Sequence, residues 1–283
     1  MATVQDFTGY KPTWCPGCGN WGIGMGIKMA LAEQSLAPSS VMISFGIGCS
    51  GNMNDFVNAN AMHGLHGRAI TTAVGMKLAN HQMPVLAVVG DGDCYGEGGN
   101  HFLHACRGNH DITVIIHDNN VYGLTTGQVS PTAEKGQKSK STPGGIIETP
   151  VDPLALAITQ GATFVAQTFA GDTKHMVETI KKAMQHKGFS VVNVLQPCVT
   201  FNKKMTYQYY MKNVYKLPAT HDPSNKMKAL EEAFKVQEEK FALGVIYETN
   251  RDAYHTRAVV NESVSLLDQS PFKDMQSLAA DFI

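Results

Sequence analysis

"PVLAVVGDGDCYGEGG", residues 84–99, runs from a continuously apolar segment directly into one built of glycine and acidic residues. Apolar side chains at successive positions fill both faces of a strand, as in a parallel sheet covered on both sides. Four more runs share the first half of this pattern: "VMISFGIG" (41–48), "ITVIIHDN" (112–119), "TFVAQTF" (163–169) and "FSVVNVLQP" (189–197). Helix-like segments lie between or beside them, at 22–37, 67–80, 99–109 and 172–188. The alternation predicts an α/β fold with a doubly wound, mainly parallel sheet. Such sheets bind ligands beyond the carboxyl ends of their strands. Glycine-rich chemistry follows three strands here: "GIGCSGN", "GDGDCYGEGG" and "DNNVYGLTTGQ".

The 283 residues are 43% hydrophobic, enough for a sizeable core, and 23 basic against 24 acidic residues leave a net charge of −1. No global field points to nucleic acid or an anionic membrane, so neither is expected as a partner. No apolar run reaches the roughly 20 residues of a membrane helix. The polar start "MATVQDFTGYKPT" lacks the apolar core of a signal peptide, which gives a cytoplasmic expectation. Six cysteines in that compartment favour metal or redox roles over disulfides.

Gly90-Asp91-Gly92 and Asp118-Asn119-Asn120 end neighbouring runs, with 26 residues between Gly92 and Asn119. The pair resembles the thiamin diphosphate motif, which begins Gly-Asp-Gly and ends in Asn or Asn-Asn. The resemblance implies a diphosphate-side thiamin diphosphate fold, with Mg²⁺ held by Asp91, Asn119 and the Val121 carbonyl. Carboxylate and amide oxygens are the hard donors that ion takes. Gly92, Asp93, Gly123 and Leu124 are then cofactor contacts. Read singly, these residues are ordinary turn formers. A nicotinamide site fits worse, because Tyr95 stands where Gly-x-Gly-x-x-Gly needs its third glycine.

"KPTWCPGCGN" (11–20) holds Cys15 and Cys18 two residues apart. Such a pair serves redox disulfides, zinc sites or iron–sulfur clusters. A thioredoxin-like motif needs a preceding strand, and only fourteen residues precede Cys15; a zinc ribbon needs a second close pair, and none exists. Cys49 and Cys198 close the first and last runs, on the face where the diphosphate loops emerge. An N-terminal segment folded over that face completes four thiolates, the usual complement of a [4Fe–4S] cluster. Cys94 and Cys106 read as small buried thiols.

"PTWCPGCGN", "GIGCSG", "LHGRA", "GDGD…GGNH", "YGLTTGQVSPT" and "LQPCVT" together resemble the β subunit of two-subunit 2-oxoacid:ferredoxin oxidoreductases, over roughly residues 10 to 205. The resemblance implies oxidative decarboxylation of a 2-oxoacid, 2-oxoglutarate before pyruvate, with coenzyme A taking the acyl group and ferredoxin the electrons. Run backwards, the reaction fixes CO₂. Cys15, Cys18, Cys49 and Cys198 become cluster ligands, and Ile47, Gly48, Cys49 and Ser50 line the cofactor. His66 becomes a cofactor contact and proton-steering group. Many relatives carry Lys or Arg three residues after Cys49, where this chain has Asn52. Substrate charge then falls to Asn52 by neutral bonds, to Arg68, or to a second subunit. Thiamin diphosphate normally lies between two domains, and the chain accounts for one. An α subunit that supplies the activating glutamate is therefore expected, in an (αβ)₂ assembly. A non-oxidative decarboxylase needs no four-cysteine set, and a non-catalytic cluster scaffold needs no Asp91–Asn119 pair.

The polar stretch 125–145 exceeds the usual loop length, which favours a binding loop. Division falls at 1–205, the cofactor domain with its N-terminal cluster segment, and 206–283, a C-terminal extension. Its aromatic run suits packing or contact between subunits better than a nucleic-acid platform.

Overall fold

In a computed structural model, residues 2–257, 266 and 280 are described. The rest of the expected C-terminal extension lies outside the described residues. Ten strands are present among the described residues: β1 (Met42–Phe45), β2 (Asn60–His63), β3 (Val85–Gly90), β4 (Thr113–Asp118), β5 (Val121–Tyr122), β6 (Gln128–Val129), β7 (Phe164–Phe169), β8 (Ser190–Leu195), β9 (Val214–Lys216) and β10 (Phe241–Glu248). Eight form one sheet in the order β2-β1-β3-β4-β8-β7-β10-β9, while β5 and β6 make a separate hairpin. Every pairing in the large sheet is parallel except β7 with β10. The five expected strands are β1, β3, β4, β7 and β8.

The helices are α1 (Gly19–Glu33), α2 (Ala69–Ala79), α3 (Gly99–Gly108), α4 (Pro153–Thr159), α5 (Thr173–Gln185), α6 (Tyr207–Asn213), α7 (Lys226–Phe234) and α8 (Tyr254–Arg257). Alternate residues of each central strand serve opposite layers. Val85, Ala87 and Val89 of β3 join the core beneath α2, α3, α4 and α7, whereas Leu86 and Val88 join the core beneath α1 and α5. β4 repeats the split, with Val114 and Ile116 on one side and Ile115 on the other. Each of the Val, Leu and Ile side chains among these contributes about 1.5–3 kcal/mol through burial. Helix α1 presents Ile23, Ile27, Ala30 and Leu31 at helical spacing, and α5 answers with Met176, Val177, Ile180 and Ala183. Among the described residues, no helix is long and apolar enough to cross a membrane.

Residues 206–257 join the same sheet. β10 pairs with β7, and the aromatic run packs as Tyr210 and Phe241 with Phe169, Leu195 and Met205. "FALG" (241–244) opens β10, which lies between β7 and β9.

Asn109 ties this end of the fold together. It caps α3 in the left-handed region at φ 55°, donates to the Arg251 and Asp252 carbonyls, and accepts from Thr163 Oγ1 and the Phe189 amide. Asn109→Ala is expected to destabilise the chain by about 2–4 kcal/mol, from the left-handed backbone cost and the buried groups left unpaired. Urea denaturation with an unchanged slope checks this.

Candidate active site

The parallel sheet brings the carboxyl ends of β1, β3, β4 and β8 side by side, as the sequence pattern requires. Asp91, just past β3, is 1% exposed. Its Oδ2 accepts from Ser130 Oγ at 2.6 Å, Thr132 Oγ1 at 2.5 Å and the Asn120 amide at 3.0 Å. These donors fix the carboxylate in one rotamer. Asn119 follows β4; its Oδ1 accepts from the Val121 amide and its Nδ2 donates to Gln196 Oε1. Asn120 takes a left-handed conformation at φ 61°, and its side chain binds Asp118 Oδ1, the Thr132 carbonyl and Thr132 Oγ1. The two asparagines thus divide the work: Asn119 lines the cavity and Asn120 builds its wall.

Burial raises the pKa of Asp91 against the pull of Ser130 and Thr132, and burial with the Asp91 charge pushes Asp118 up to about 7. Of the two, Asp91 lines the cavity, where its carboxylate and the Asn119 amide oxygen are the hard donors a divalent cation takes. The residues therefore fit Mg²⁺. Gly92 fits for another reason: a Cβ there would lie 2.5 Å from the Tyr122 ring, whose hydroxyl donates to the Gly92 carbonyl. Asp93 accepts from the Gly67 amide through Oδ1, while its buried Oδ2 lacks a partner among the described residues.

One cavity, of about 70 Å³, is lined by Ile47, Gly48, Cys49, Ser50, His66, Asp91, Gly92, Asp93, Asn119, Val121, Gly123 and Leu124. These are all of the sequence-derived cofactor and Mg²⁺ residues. A second, of about 270 Å³, is lined by Cys15, Cys18, Cys49 and Cys198 together with Asn52, Asn20 and Gln196. Cys49, Asn119, Gly123 and Leu124 line both. At Gly123 the wall is thin: a Cβ would stand 3.4 Å from Cys49 Sγ and 3.9 Å from Cys198 Sγ. Arg68 lines neither cavity and bonds His101 Nε2 at 2.8 Å.

All six cysteines are free thiols, and Cys94 and Cys106 are buried in the core. Trp14 holds the segment with Cys15 and Cys18 over the strand ends, donating from Nε1 to the Cys49 carbonyl at 2.7 Å and meeting Phe56 edge-on. Burial and the charges of Cys18, Cys198 and Cys15 push the Cys49 pKa up to about 11. Burial likewise raises Cys18, with the Asn20 amide and Gln196 opposing it. Thiols that resist ionising together become thiolates when a metal centre supplies positive charge. Among the described residues, no three His, Cys, Asp or Glu side chains stand at the spacing of one metal ion. The four cysteines line one cavity and offer the soft thiolate donors that an iron–sulfur cluster takes.

Sequence reasoning missed Ser130, Thr132, Asn120 and Gln196 as parts of the site. The length of the 125–145 stretch was the available signal for the first two.

The family model of the thiamine pyrophosphate enzyme, C-terminal TPP binding domain, matches residues 46–194, and that of the C-terminal part of the pyruvate ferredoxin oxidoreductase beta subunit matches 198–262. Fold and site thus define a thiamin diphosphate-binding protein of the mainly parallel α/β kind. The chain is 43% identical to a 2-oxoacid:ferredoxin oxidoreductase subunit beta of Saccharolobus solfataricus, over 93% of this chain and 90% of that protein. It is 40% identical to the 2-oxoglutarate synthase subunit KorB of Archaeoglobus fulgidus, over 67% and 71%. A solved 2-oxoglutarate:ferredoxin oxidoreductase from Magnetococcus marinus, with 2-oxoglutarate, coenzyme A and succinyl-CoA bound, superposes with a TM-score of 0.91 at 38% identity, covering 99% of this chain and 95% of that one. The chain belongs to the 2-oxoacid:ferredoxin oxidoreductase β-subunit family, oxidoreductases that work with an α subunit.

Proposed function

We propose that the substrate is 2-oxoglutarate: one 2-oxoglutarate, coenzyme A and two oxidised ferredoxins give succinyl-CoA, CO₂, a proton and two reduced ferredoxins. The names of the KorB relatives and of the Magnetococcus structure support this choice. The carrying observation for the reaction type is the shared wall, where Cys49, Asn119, Gly123 and Leu124 face both cavities. With cofactor and cluster on its two sides, electrons need cross only that wall.

In this reading Asp91, Asn119 and the Val121 carbonyl hold Mg²⁺. Ile47, Gly48, Cys49, Ser50, His66, Gly92, Asp93, Gly123 and Leu124 hold thiamin diphosphate, and Cys15, Cys18, Cys49 and Cys198 hold a [4Fe–4S] cluster. Bound thiamin diphosphate supplies the electron sink that lets a 2-oxoacid lose CO₂. The protein residues fix the diphosphate through metal and backbone, exclude water with Leu124 and Tyr122, and leave His66 at the cavity edge for proton traffic. Asn52 lines the cysteine cavity beside the shared wall and is the neutral hydrogen-bonding group for a substrate carboxylate. Arg68 reaches that region only by leaving His101.

The 70 Å³ cavity is far below the roughly 300–1,000 Å³ of a complete small-molecule site. The α subunit supplies the other wall and the pyrimidine side, in an (αβ)₂ assembly, with residues 206–283 as a C-terminal extension and the whole acting in the cytoplasm. Strongly reducing ferredoxin drives the reverse carboxylation of succinyl-CoA.

The test is anaerobic ferredoxin reduction by the co-expressed αβ complex with coenzyme A and either acid. The expected kcat/KM for 2-oxoglutarate exceeds that for pyruvate at least about tenfold, a difference of 1.4 kcal/mol in barrier. Faster turnover of pyruvate contradicts the substrate assignment.

A further inference from the structure

Gln196 follows β8, lines the cysteine cavity and is 1% exposed. Its Oε1 accepts from Asn119 Nδ2 at 3.2 Å, and its Nε2 donates to Cys18 Sγ at 3.4 Å. The backbone around it is fixed on both sides. Its amide donates to the Asp118 carbonyl at 2.8 Å, and the Gly19 amide, opening α1, donates to the Pro197 carbonyl at 3.1 Å. Gly19 also clears the path of the side chain, since a Cβ there would lie 2.6 Å from Gln196 Cγ.

The relay has one chemical sense. A metal-binding Asn119 must present its oxygen to the ion and direct its NH₂ elsewhere. Gln196 receives that NH₂ through its carbonyl oxygen, which leaves its own NH₂ for the thiolate. Turned over, the amide would set two NH₂ groups together and a carbonyl oxygen against sulfur. Each end therefore enforces the orientation that the other requires.

We propose that Gln196 is a positioning residue that couples the two centres, holding the Asn119 amide in its metal-binding orientation and donating a hydrogen bond to the Cys18 thiolate. This rests on the reading of Asp91 and Asn119 as metal ligands and of the four cysteines as cluster ligands. Hydrogen bonds to cluster sulfurs stabilise the more negative, reduced state and raise its potential. Asn20 stands beside Cys18 as a further donor. Its Oδ1 is taken by His117 Nδ1 at 2.7 Å, and its buried Nδ2 has no partner among the described residues although the residue lines the cysteine cavity. Gln196 differs from Asn20 in reaching the metal side as well.

The experiment uses the αβ holoenzyme, wild type and Gln196→Met, which keeps the side-chain length and removes both amide contacts. EPR-monitored redox titration is expected to show a cluster harder to reduce by about tenfold, which is about 59 mV for a one-electron couple. Mn²⁺, read by its own EPR signal in the thiamin diphosphate-loaded complex, is expected to bind about tenfold more weakly. An unchanged potential overturns the thiolate half of the proposal, and an unchanged Mn²⁺ affinity overturns the metal half. A second measurement needs no variant: wild-type enzyme with side-chain ¹⁵N-glutamine should show a ¹⁵N coupling to the reduced cluster by pulsed EPR. Absence of that coupling also overturns the relay. A wild-type complex with no iron–sulfur signal would instead refute the four-cysteine reading itself, and the relay with it.

Discussion

Asp91→Ala is expected to lower ferredoxin-linked oxidation of the 2-oxoacid by at least about 10³-fold in the αβ complex, while the iron–sulfur absorbance remains. A metal ion at a reacting centre is worth several kcal/mol, and each 1.36 kcal/mol is tenfold in rate. Asp91 is the one carboxylate among the proposed Mg²⁺ ligands, and Ser130, Thr132 and the Asn120 amide hold it in place. Alanine would also leave those donors unpaired, so Asp91→Asn is the companion variant. It keeps a side-chain oxygen for the hydroxyls but lacks the charge a divalent cation needs. Steady-state rates together with the visible spectrum separate loss of chemistry from loss of fold. Wild-type activity in Asp91→Asn would contradict the metal assignment.

Cys49→Ser should have an effect as large and of a different kind. Cys49 is the one cysteine that lines both cavities, and its backbone carbonyl anchors Trp14. Serine preserves the carbonyl and nearly the volume while replacing the soft thiolate that iron–sulfur clusters take. Iron content and the reduced-state EPR signal should fall sharply, and ferredoxin reduction should cease. Thiamin diphosphate binding should fall far less than iron content, because Asp91, Asn119 and the Val121 carbonyl are untouched and serine keeps the Cys49 backbone in place. Cys106→Ser is the control: Cys106 is fully buried in the hydrophobic core, and its replacement should leave iron intact. Full iron occupancy with normal electron transfer in Cys49→Ser would refute the ligand set.

The central sheet was legible because β3, β4, β7 and β8 are apolar on both faces, and that pattern is written in consecutive residues. The edges were not. β2 is exposed at all four positions, and β10 takes its place by pairing with β7 and β9. The cavity residues were legible where glycine, aspartate and asparagine end buried strands. Their supports were hidden by distance along the chain. Ser130 and Thr132 reach Asp91 from 39 and 41 residues away, and Gln196 reaches Asn119 across 77. Nothing local in "SPT" or "LQP" announces such a contact. Arg68 shows the opposite case: its charge suggested a substrate role, while its observed partner is His101. Asn52, the other sequence candidate for the substrate carboxylate, lines the cysteine cavity.

The most direct test of the shared wall is freeze-quench EPR on the anaerobic αβ complex loaded with thiamin diphosphate and Mg²⁺, mixed with 2-oxoglutarate and coenzyme A in the absence of ferredoxin. The expected result is a reduced [4Fe–4S] signal that appears within a turnover time, accounts for four irons per β chain and is absent from Asp91→Ala. A complex that consumes 2-oxoglutarate while its EPR spectrum stays silent, or that holds zinc in place of iron, would contradict the assignment of the four cysteines as the electron outlet.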